Sequence, residues 1–193
     1  PTGNFGNIFA AYLAKQMGLP IAKLICASNA NIVLTDFLRT GTYDRNRDFH
    51  MTVSPSMDIL ISSNLERLLY FIAGSEKTAE WMRELKETGK YTVDADTFRE
   101  IRKHFVGYYT NEEDTIATIR QTWRDGDYLA DPHTAVAIHA AKAYMSEFTD
   151  GIPMVVDSTA SPFKFAGTVY RALTGENAAS DADALNQLAA LTK

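Results

Sequence analysis

The sequence predicts a helix-rich α/β protein with only a few strands of an incomplete sheet. Two apolar segments, residues 21–28 and 152–158, are rich in β-branched side chains and have the length of buried strands. Amphipathic patterns with the period of an α-helix occupy most of the remaining chain. Because two strands cannot form an independent sheet of ordinary size, we expect further strands outside these 193 residues.

The helical segments begin and end at residues that are typical of helix termini. The predicted helices are 5–17, 29–41, 63–74, 76–89, 93–105, one that follows Thr110, one that begins near Pro132, 161–175 and the last dozen residues. The candidate amino-terminal caps are Asn29 or Asn31, Ser63 or Asn64, Asp94 or Asp96, Thr110, and Ser161. The candidate carboxyl-terminal stops are Gly18, Gly41 and Gly89. Residues 42–62 are predicted to be irregular, since Pro55 prevents a regular helix there.

The composition excludes several classes of partner. The formal net charge is −5 and the Lys and Arg residues are scattered, so no nucleic-acid interface is predicted. No apolar run approaches the roughly 20 residues that span a bilayer, and no signal-peptide pattern occurs, so no membrane partner is predicted. The single cysteine, Cys26, cannot form an internal disulfide and lies in an apolar run. We expect it to be buried and the protein to be cytoplasmic.

No metal site and no hydrolytic triad are predicted. The histidines are His50, His104, His133 and His139. None has the spacing of a metal-binding motif, and no G-x-S-x-G nucleophile elbow occurs. Glu112, Glu113 and Asp114 form an acidic triplet at a predicted helix start, where the helix dipole explains them without catalysis.

The stretch "PTGNFGN" at residues 1–7 is a candidate phosphate cradle. Gly3 and Gly6 stand three apart among small and amide-bearing side chains, directly before a helical pattern. Glycine permits positive φ and a close approach to a ligand, and a helix amino terminus offers unpaired N–H groups. The alternative is an ordinary helix start with turn glycines, because the pattern is neither G-x-G-x-x-G nor G-x-x-x-x-G-K-[ST].

A strand usually precedes a glycine loop of this kind and holds it in place. Neither that strand nor an initiator methionine stands before Pro1. We therefore expect the chain to be a piece of a longer protein.

Two further stretches are candidates for ligand binding. In "VVDSTASPFKF", Asp157, Ser158 and Thr159 stand at the end of a predicted strand, at the place where ligands bind in open α/β sheets. The alternative is a helix cap, which explains Ser161 before Pro162 but not the whole cluster. In "ISSN", two serines and an asparagine, residues 62–64, begin a predicted helix and form either a second anion site or a simple cap.

Taken in order, six stretches resemble the carboxyl-terminal part of threonine synthase. They are "PTGNFGN", "MGLPI", "NANIVLTDFLRTGTY", "SPSMDILISSNLERLLY", "ADPHTAVAI" and "DSTASPFKF", and they cover the chain nearly from end to end. The resemblance implies a tryptophan-synthase-like fold, called fold type II, and the cofactor pyridoxal 5'-phosphate. It also implies conversion of O-phospho-L-homoserine and water to L-threonine and phosphate. All 193 residues would then belong to the large cofactor-binding domain, with no internal boundary.

The resemblance also implies roles for particular residues. The cofactor phosphate would be held, through backbone N–H groups, by Gly3, Asn4, Phe5, Gly6 and Asn7. By motif position, the hydroxyl of Thr159 would face the pyridine nitrogen, and a neutral partner does not demand a fully protonated pyridine. The candidates for binding the substrate phosphate are Ser63, Asn64 and Lys164. Lys164 alternatively lies on a solvated helix face.

Two departures from the family pattern affect these expectations. Ser161 stands where relatives often have histidine, so any role of that histidine is in doubt. The family's Schiff-base lysine precedes the glycine loop in a Phe-Lys-Asp motif, which does not occur here. "PFKF" at residues 162–165 imitates it but follows the loop, so Lys164 is not that lysine. We predict no catalytic residue in these 193 residues and no activity of the chain alone.

Other readings stay open at this point. A serine or threonine dehydratase of the same fold type is one, although "SPSMDI" and "SSNLERL" favour threonine synthase. A non-catalytic remnant that only binds anions is another. The expected partners are the amino-terminal portion of the same enzyme and, through exposed apolar edges, a second copy of the chain.

Overall fold

The computed structural model describes residues 1–149 and 151–192. The helices are Gly6–Gln16 (α1), Val33–Thr40 (α2), Leu65–Ala73 (α3), Ser75–Thr88 (α4), Ala95–His104 (α5), Glu112–Gly126 (α6), Pro132–Glu147 (α7), Ala166–Thr174 (α8) and Asp181–Leu191 (α9). The strands are Leu24–Ser28 (β1), Thr42–Asp44 (β2), Lys90–Thr92 (β3) and Phe105–Tyr109 (β4), and short 3-10 helices cover Pro55–Met57 and Pro162–Phe165. The predicted helix-rich α/β class is therefore confirmed.

The described residues form two compact units. The first, the strand unit, contains residues 2–51 and 56–109. The second, the helical unit, contains residue 1, residues 52–55 and the chain from Thr110 onward. The expectation that all 193 residues belong to one larger domain stays a prediction.

A parallel pair of strands forms the centre of the strand unit. Strands β1 and β4 pair in register from Leu24 opposite Phe105 to Ser28 opposite Tyr109. Helix α2 packs closely on β4, because a Cβ atom at Gly107 would lie 2.8 Å from Cα of Thr35. Cys26 on β1 is fully buried, as expected.

A small antiparallel pair completes the strand unit. Strands β2 and β3 place Tyr43 opposite Tyr91, and their rings stack with centroids 5.4 Å apart. Burial raises the pKa of Tyr43 to about 12, so its hydroxyl keeps its proton and can both donate and accept hydrogen bonds.

The helical unit has its own apolar core. Helices α6 to α9 contribute Ile119, Ala135, Val169 and Leu188, all of which are fully buried. Small residues predominate in this cluster, which lets the helices approach one another closely. This unit accounts for the last four helical segments that the sequence predicted.

The predicted strand at residues 152–158 is wrong. The structure gives this segment no strand pairing, and Val155 is 87% exposed. Apolar, β-branched composition favours an extended chain, but a strand also needs a neighbour for its ladder hydrogen bonds. Conversely, β4 follows α5 directly and was missed, because the helical pattern obscured where α5 ends.

Several predicted helix termini are confirmed. Asp94 caps α5 by accepting a hydrogen bond from the backbone N–H of Thr97. Ser161 accepts one from Phe163 ahead of the 3-10 helix. Gly41 and Gly89 end α2 and α4 in the left-handed conformation.

Two predicted caps are wrong. Helix α2 begins at Val33 without a side-chain cap, and Asn29 instead accepts a hydrogen bond from the backbone of Asn31. Helix α6 is capped by Asn111, whereas the hydroxyl of Thr110 donates to the carbonyl of Val136. In both places the side chain of the predicted cap forms a hydrogen bond with a group outside the first turn of the helix.

The Asp94 cap makes a pH-dependent contribution to stability. The hydrogen bond from Lys77 and that from Thr97 lower the pKa of Asp94 from 3.8 to about 2. A depressed folded-state pKa stabilises the fold above the unfolded value, and this stability is lost as the pH falls from about 4 to about 2. Asp94→Ala should therefore lower the free energy of unfolding by about 1 kcal/mol at pH 7.

Urea denaturation from pH 7 to pH 2 measures this effect. Asp96→Ala is the matched control, because Asp96 is also in the first turn of α5 but is 81% exposed and forms a surface ion pair with Arg99. We expect the control to change the free energy of unfolding by less than about 0.5 kcal/mol. Equal losses for the two variants, or a loss for Asp94→Ala that persists at pH 2, would contradict the prediction.

Candidate functional site

The glycine loop precedes α1 and lies against the carboxyl end of β1. The backbone N–H of Thr2 donates to the carbonyl of Ala27, with 2.8 Å between the two atoms. Ligands in α/β sheets bind at this end of parallel strands. Within the loop the left-handed residue is Phe5, with φ of 64°, and neither Gly3 nor Gly6 has positive φ. The expectation that the glycines supply positive φ is wrong.

Burial of the Phe5 ring stabilises this conformation. Phe5 is 1% exposed, and its ring centroid lies 5.6 Å from that of Phe105 on β4. A left-handed residue that carries a side chain costs about 1–2 kcal/mol. Full burial of a phenylalanine contributes about 1.5–3 kcal/mol, which offsets that cost. The entry angle of α1 is therefore determined by a core contact.

The amino terminus of α1 has the features of an anion site. No side chain caps it, and its first turn carries no acidic residue. Helices α5, α6, α7 and α9 each have a side-chain cap, whereas α2, α3, α4 and α8 have none, like α1. Gly6 and Asn7 in the first turn are exposed. The N–H groups and the dipole of this helix end can therefore stabilise a phosphate.

Residues 62–64, the serine–asparagine turn, hold the loop by four hydrogen bonds. The hydroxyl of Ser62 donates to the carbonyl of Gly3 across 2.9 Å. The backbone N–H and the hydroxyl of Ser63 both donate to Oδ1 of Asn4, each across 2.8 Å. The amide of Asn64 donates to the carbonyl of Asn4 across 2.8 Å. The structure thus brings four predicted site residues together, namely Gly3, Asn4, Ser63 and Asn64.

The capping roles predicted for this turn are wrong. Asn64 occupies the cap position of α3, but its side chain makes no capping hydrogen bond. Its amide is engaged by the glycine loop instead, as is the hydroxyl of Ser63. A polar triplet at a helix start was the only sequence signal, and it did not reveal the partner.

A buried tyrosine holds this turn from the other side. Oη of Tyr43 accepts a hydrogen bond from the backbone N–H of Ser62 across 2.8 Å and donates to the carbonyl of Leu60 across 3.0 Å. Tyr43 is 1% exposed. Sequence reasoning missed this residue, because nothing local to it indicates a polar role.

The stretch that carries Thr159 lies in the helical unit and is held by a second polar network. Oγ of Ser158 lies 2.8 Å from Oη of Tyr128 and 3.3 Å from Oγ1 of Thr134. Thr134 donates to the carboxylate of Asp131, which caps α7. Burial raises the pKa of Asp131, but hydrogen bonds from the residues that it caps outweigh burial and lower the pKa overall. Asp131 therefore stays ionised and anchors the network.

Thr159 and Lys164 are both exposed. Within the described residues, the hydroxyl of Thr159 makes no hydrogen bond and the ammonium of Lys164 makes no ion pair. That ammonium lies 5.5 Å from the ring centroid of Phe165. Both side chains have polar groups with capacity for a ligand.

The described residues contain neither a metal-binding cluster nor a helix that could span a membrane. No group of three or more His, Cys, Asp or Glu side chains among them could hold a metal ion. None of their helices combines the length and the apolar character that a membrane span requires.

Comparison with known proteins finds similarity to threonine synthases. The family model for "Threonine synthase, C-terminal" matches residues 134–193. Threonine synthase from Saccharomyces cerevisiae is 41% identical over 191 residues, with 91% of this chain and 37% of the relative covered. That from Pseudomonas aeruginosa is 42% identical over 178 residues, with the same two shares. The crystal structure of PLP-bound threonine synthase from Brucella melitensis superposes with a TM-score of 0.84 at 39% identity, over 98% of this chain and 40% of that one.

The chain matches the carboxyl-terminal region of threonine synthase. The resemblance noted in the sequence and the partial fold that it implied are both confirmed. The chain spans 37% of the length of the two curated relatives.

The packing of the loop against the segment that follows Pro55 predicts unequal roles for its two glycines. A Cβ at Gly3 would lie 2.9 Å from Cα of Met57 and 3.1 Å from the carbonyl oxygen of Ser56, so the backbone would have to move. A Cβ at Gly6 would meet only the Asn64 amide, at 3.5 Å. Gly3→Ala should lower the free energy of unfolding by about 1–3 kcal/mol, as overpacking does.

Gly6→Ala serves as the matched control in the same urea titration, with an expected change of less than about 0.5 kcal/mol. If both variants were as stable as the parent chain, close packing would not explain why glycine stands at Gly3.

Proposed function

We propose that this chain is the part of a threonine synthase that binds the phosphate of pyridoxal 5'-phosphate. The intact enzyme would convert O-phospho-L-homoserine and water to L-threonine and phosphate. The observation that supports this most strongly is the amino terminus of α1, which is exposed and has neither a side-chain cap nor an acidic first turn. It occurs in a chain 39% identical to a threonine synthase whose structure was solved with PLP bound.

The donor set of the loop fits a phosphate. The backbone N–H groups of the five residues from Gly3 to Asn7 are donors without charge, and the helix dipole adds a partial positive charge. No carboxylate lies in the first turn of α1 to repel the dianion. We propose that these residues bind the cofactor phosphate and so orient the cofactor ring.

Thr159 is proposed to face the pyridine nitrogen. Its hydroxyl is exposed, and the network that holds the neighbouring Ser158 leaves it available to a ligand. A hydroxyl can donate to an unprotonated ring nitrogen, whereas a carboxylate would demand a protonated one. This residue would thereby limit the positive charge on the ring.

The chemistry is divided between this chain and residues outside it. When bound, pyridoxal phosphate stabilises negative charge that develops on the substrate carbons. The lysine that attaches to the cofactor and transfers protons would lie in the amino-terminal portion, which is the proposed partner of this chain. Lys164 is proposed not to be that lysine, so the chain alone should not convert substrate.

The roles of Ser63, Asn64 and Lys164 toward the substrate phosphate stay predictions. The two turn residues lie against Asn4 of the loop, and the ammonium of Lys164 is exposed in the helical unit. A serine or threonine dehydratase is the second candidate function, and the named threonine synthase relatives disfavour it.

Intact mass spectrometry tests the proposed function. The natural chain that contains these residues is incubated with pyridoxal phosphate, reduced with borohydride and weighed. We expect the mass of one cofactor to be added at a lysine outside residues 1–193, and no addition to the 193-residue chain alone. Addition at Lys164, or no addition to any natural chain, would contradict the proposal.

Substitution of Thr159 tests the proposed ring contact. Thr159→Ala should weaken pyridoxal phosphate binding by about fivefold, because one hydrogen bond contributes about 1 kcal/mol. Thr159→Ser keeps the hydroxyl and should restore binding, and Thr168→Ala on α8 is the control. Cofactor titration followed by absorbance measures the dissociation constants. Equal affinities for parent and Thr159→Ala would exclude the contact.

A further inference from the structure

We propose that the serine–asparagine turn positions the side chain of Asn4 so that its amide Nδ2 donates to the ligand phosphate. This inference rests on the proposed function of the loop. It gives Ser63 an indirect role, as a positioning residue that acts through Asn4.

The orientation of the Asn4 amide is fixed by two hydrogen bonds. Its Oδ1 accepts from both the backbone N–H and the hydroxyl of Ser63. A carboxamide has one acceptor oxygen and two N–H donors, so fixing the oxygen toward the turn also fixes the NH2 group away from it. Asn4 is exposed, and within the described residues its Nδ2 donates to no other group. Two oriented donors therefore remain for a ligand.

Ser63 has no donor left for a phosphate of its own. Its single hydroxyl proton and its backbone N–H are both directed to Asn4. A phosphate dianion needs donors, and a hydroxyl oxygen whose proton is engaged offers it only lone pairs. Asn64 has one amide N–H in the hydrogen bond to the Asn4 carbonyl and one left. The turn is thus built to hold the loop.

The turn is itself fastened to the core. Tyr43 is buried against Tyr91, and its hydroxyl bridges the carbonyl of Leu60 and the N–H of Ser62. A chain of hydrogen bonds therefore runs from a rigid aromatic pair to the loop. Preorganisation of this kind improves affinity, because less conformational freedom is lost when the ligand binds.

The test compares two probes on the natural chain that contains these residues. Pyridoxal phosphate carries the phosphate and pyridoxal lacks it. The dissociation constant of pyridoxal divided by that of pyridoxal phosphate therefore measures the phosphate contact alone. We expect Ser63→Ala to reduce this ratio by about fivefold, and Ser63→Thr to restore it. Ser75→Ala is the matched control, because Ser75 is also an exposed serine at a helix start but makes no hydrogen bond to the loop.

Two variants of Asn4 separate positioning from direct contact. Asn4→Asp keeps an acceptor for Ser63 but replaces the Nδ2 donors with a charged oxygen, so it should reduce the ratio by more than Asn4→Ala does. In the Asn4→Ala background, Ser63→Ala should have no further effect. Additive losses would show that Ser63 contacts the phosphate directly and would overturn the inference, as would an unchanged ratio in Asn4→Asp.

The measurements distinguish phosphate binding by the loop from the positioning role of Ser63. A parent chain that binds the two probes equally would overturn the phosphate loop, and the positioning role with it. A parent chain that prefers pyridoxal phosphate, together with a Ser63→Ala variant that keeps the full preference, would overturn only the positioning role. Because Ser63 is exposed, its substitution should not disturb folding, and circular dichroism checks this.

Discussion

The strand unit depends on the burial of one left-handed residue at the start of α1. Phe5 places its ring against Phe105 of β4, while its backbone turns the chain into the helix. Gly6 and Asn7, which follow it, are exposed, and no side chain caps this helix end. A core contact thus maintains an exposed, uncapped helix terminus, which would otherwise favour a nearby polar side chain as its partner.

Both candidate ligand stretches use the same physical arrangement. In each, an exposed polar side chain with unused hydrogen-bonding capacity adjoins a polar group that is fully engaged. Asn4 is held by the serine–asparagine turn and, behind it, by Tyr43. Thr159 follows Ser158, which is linked through Thr134 to the buried carboxylate of Asp131. A buried acceptor without a hydrogen bond destabilises the fold, so each network is stable in one geometry. That geometry determines where the adjoining exposed side chain lies.

The sequence predicted those helix termini that depend on a few neighbouring residues. Caps such as Asp94 and stops such as Gly89 depend on a few neighbouring residues, and the structure confirms them. Strands were predicted less well, since a strand requires a partner elsewhere in the chain. Val155 lies in a segment with strand composition and no pairing, whereas β4 pairs with β1 although its sequence immediately follows a helix. Composition alone could not distinguish these cases.

In the candidate site, too, the sequence predicted local features but not the contacts between residues that are far apart in the chain. The exposed donors of the loop could be found, because glycines before a helical pattern are a local signal. Their supports could not, since Ser63 and Asn4 are 59 residues apart and Tyr43 reaches the turn from 19 residues away. From sequence alone, a polar triplet such as Ser62–Asn64 suggests a cap or a ligand. Its role depends on which groups its protons bind. Because both donors of Ser63 are directed to Asn4, Ser63 can affect a bound phosphate only through the loop.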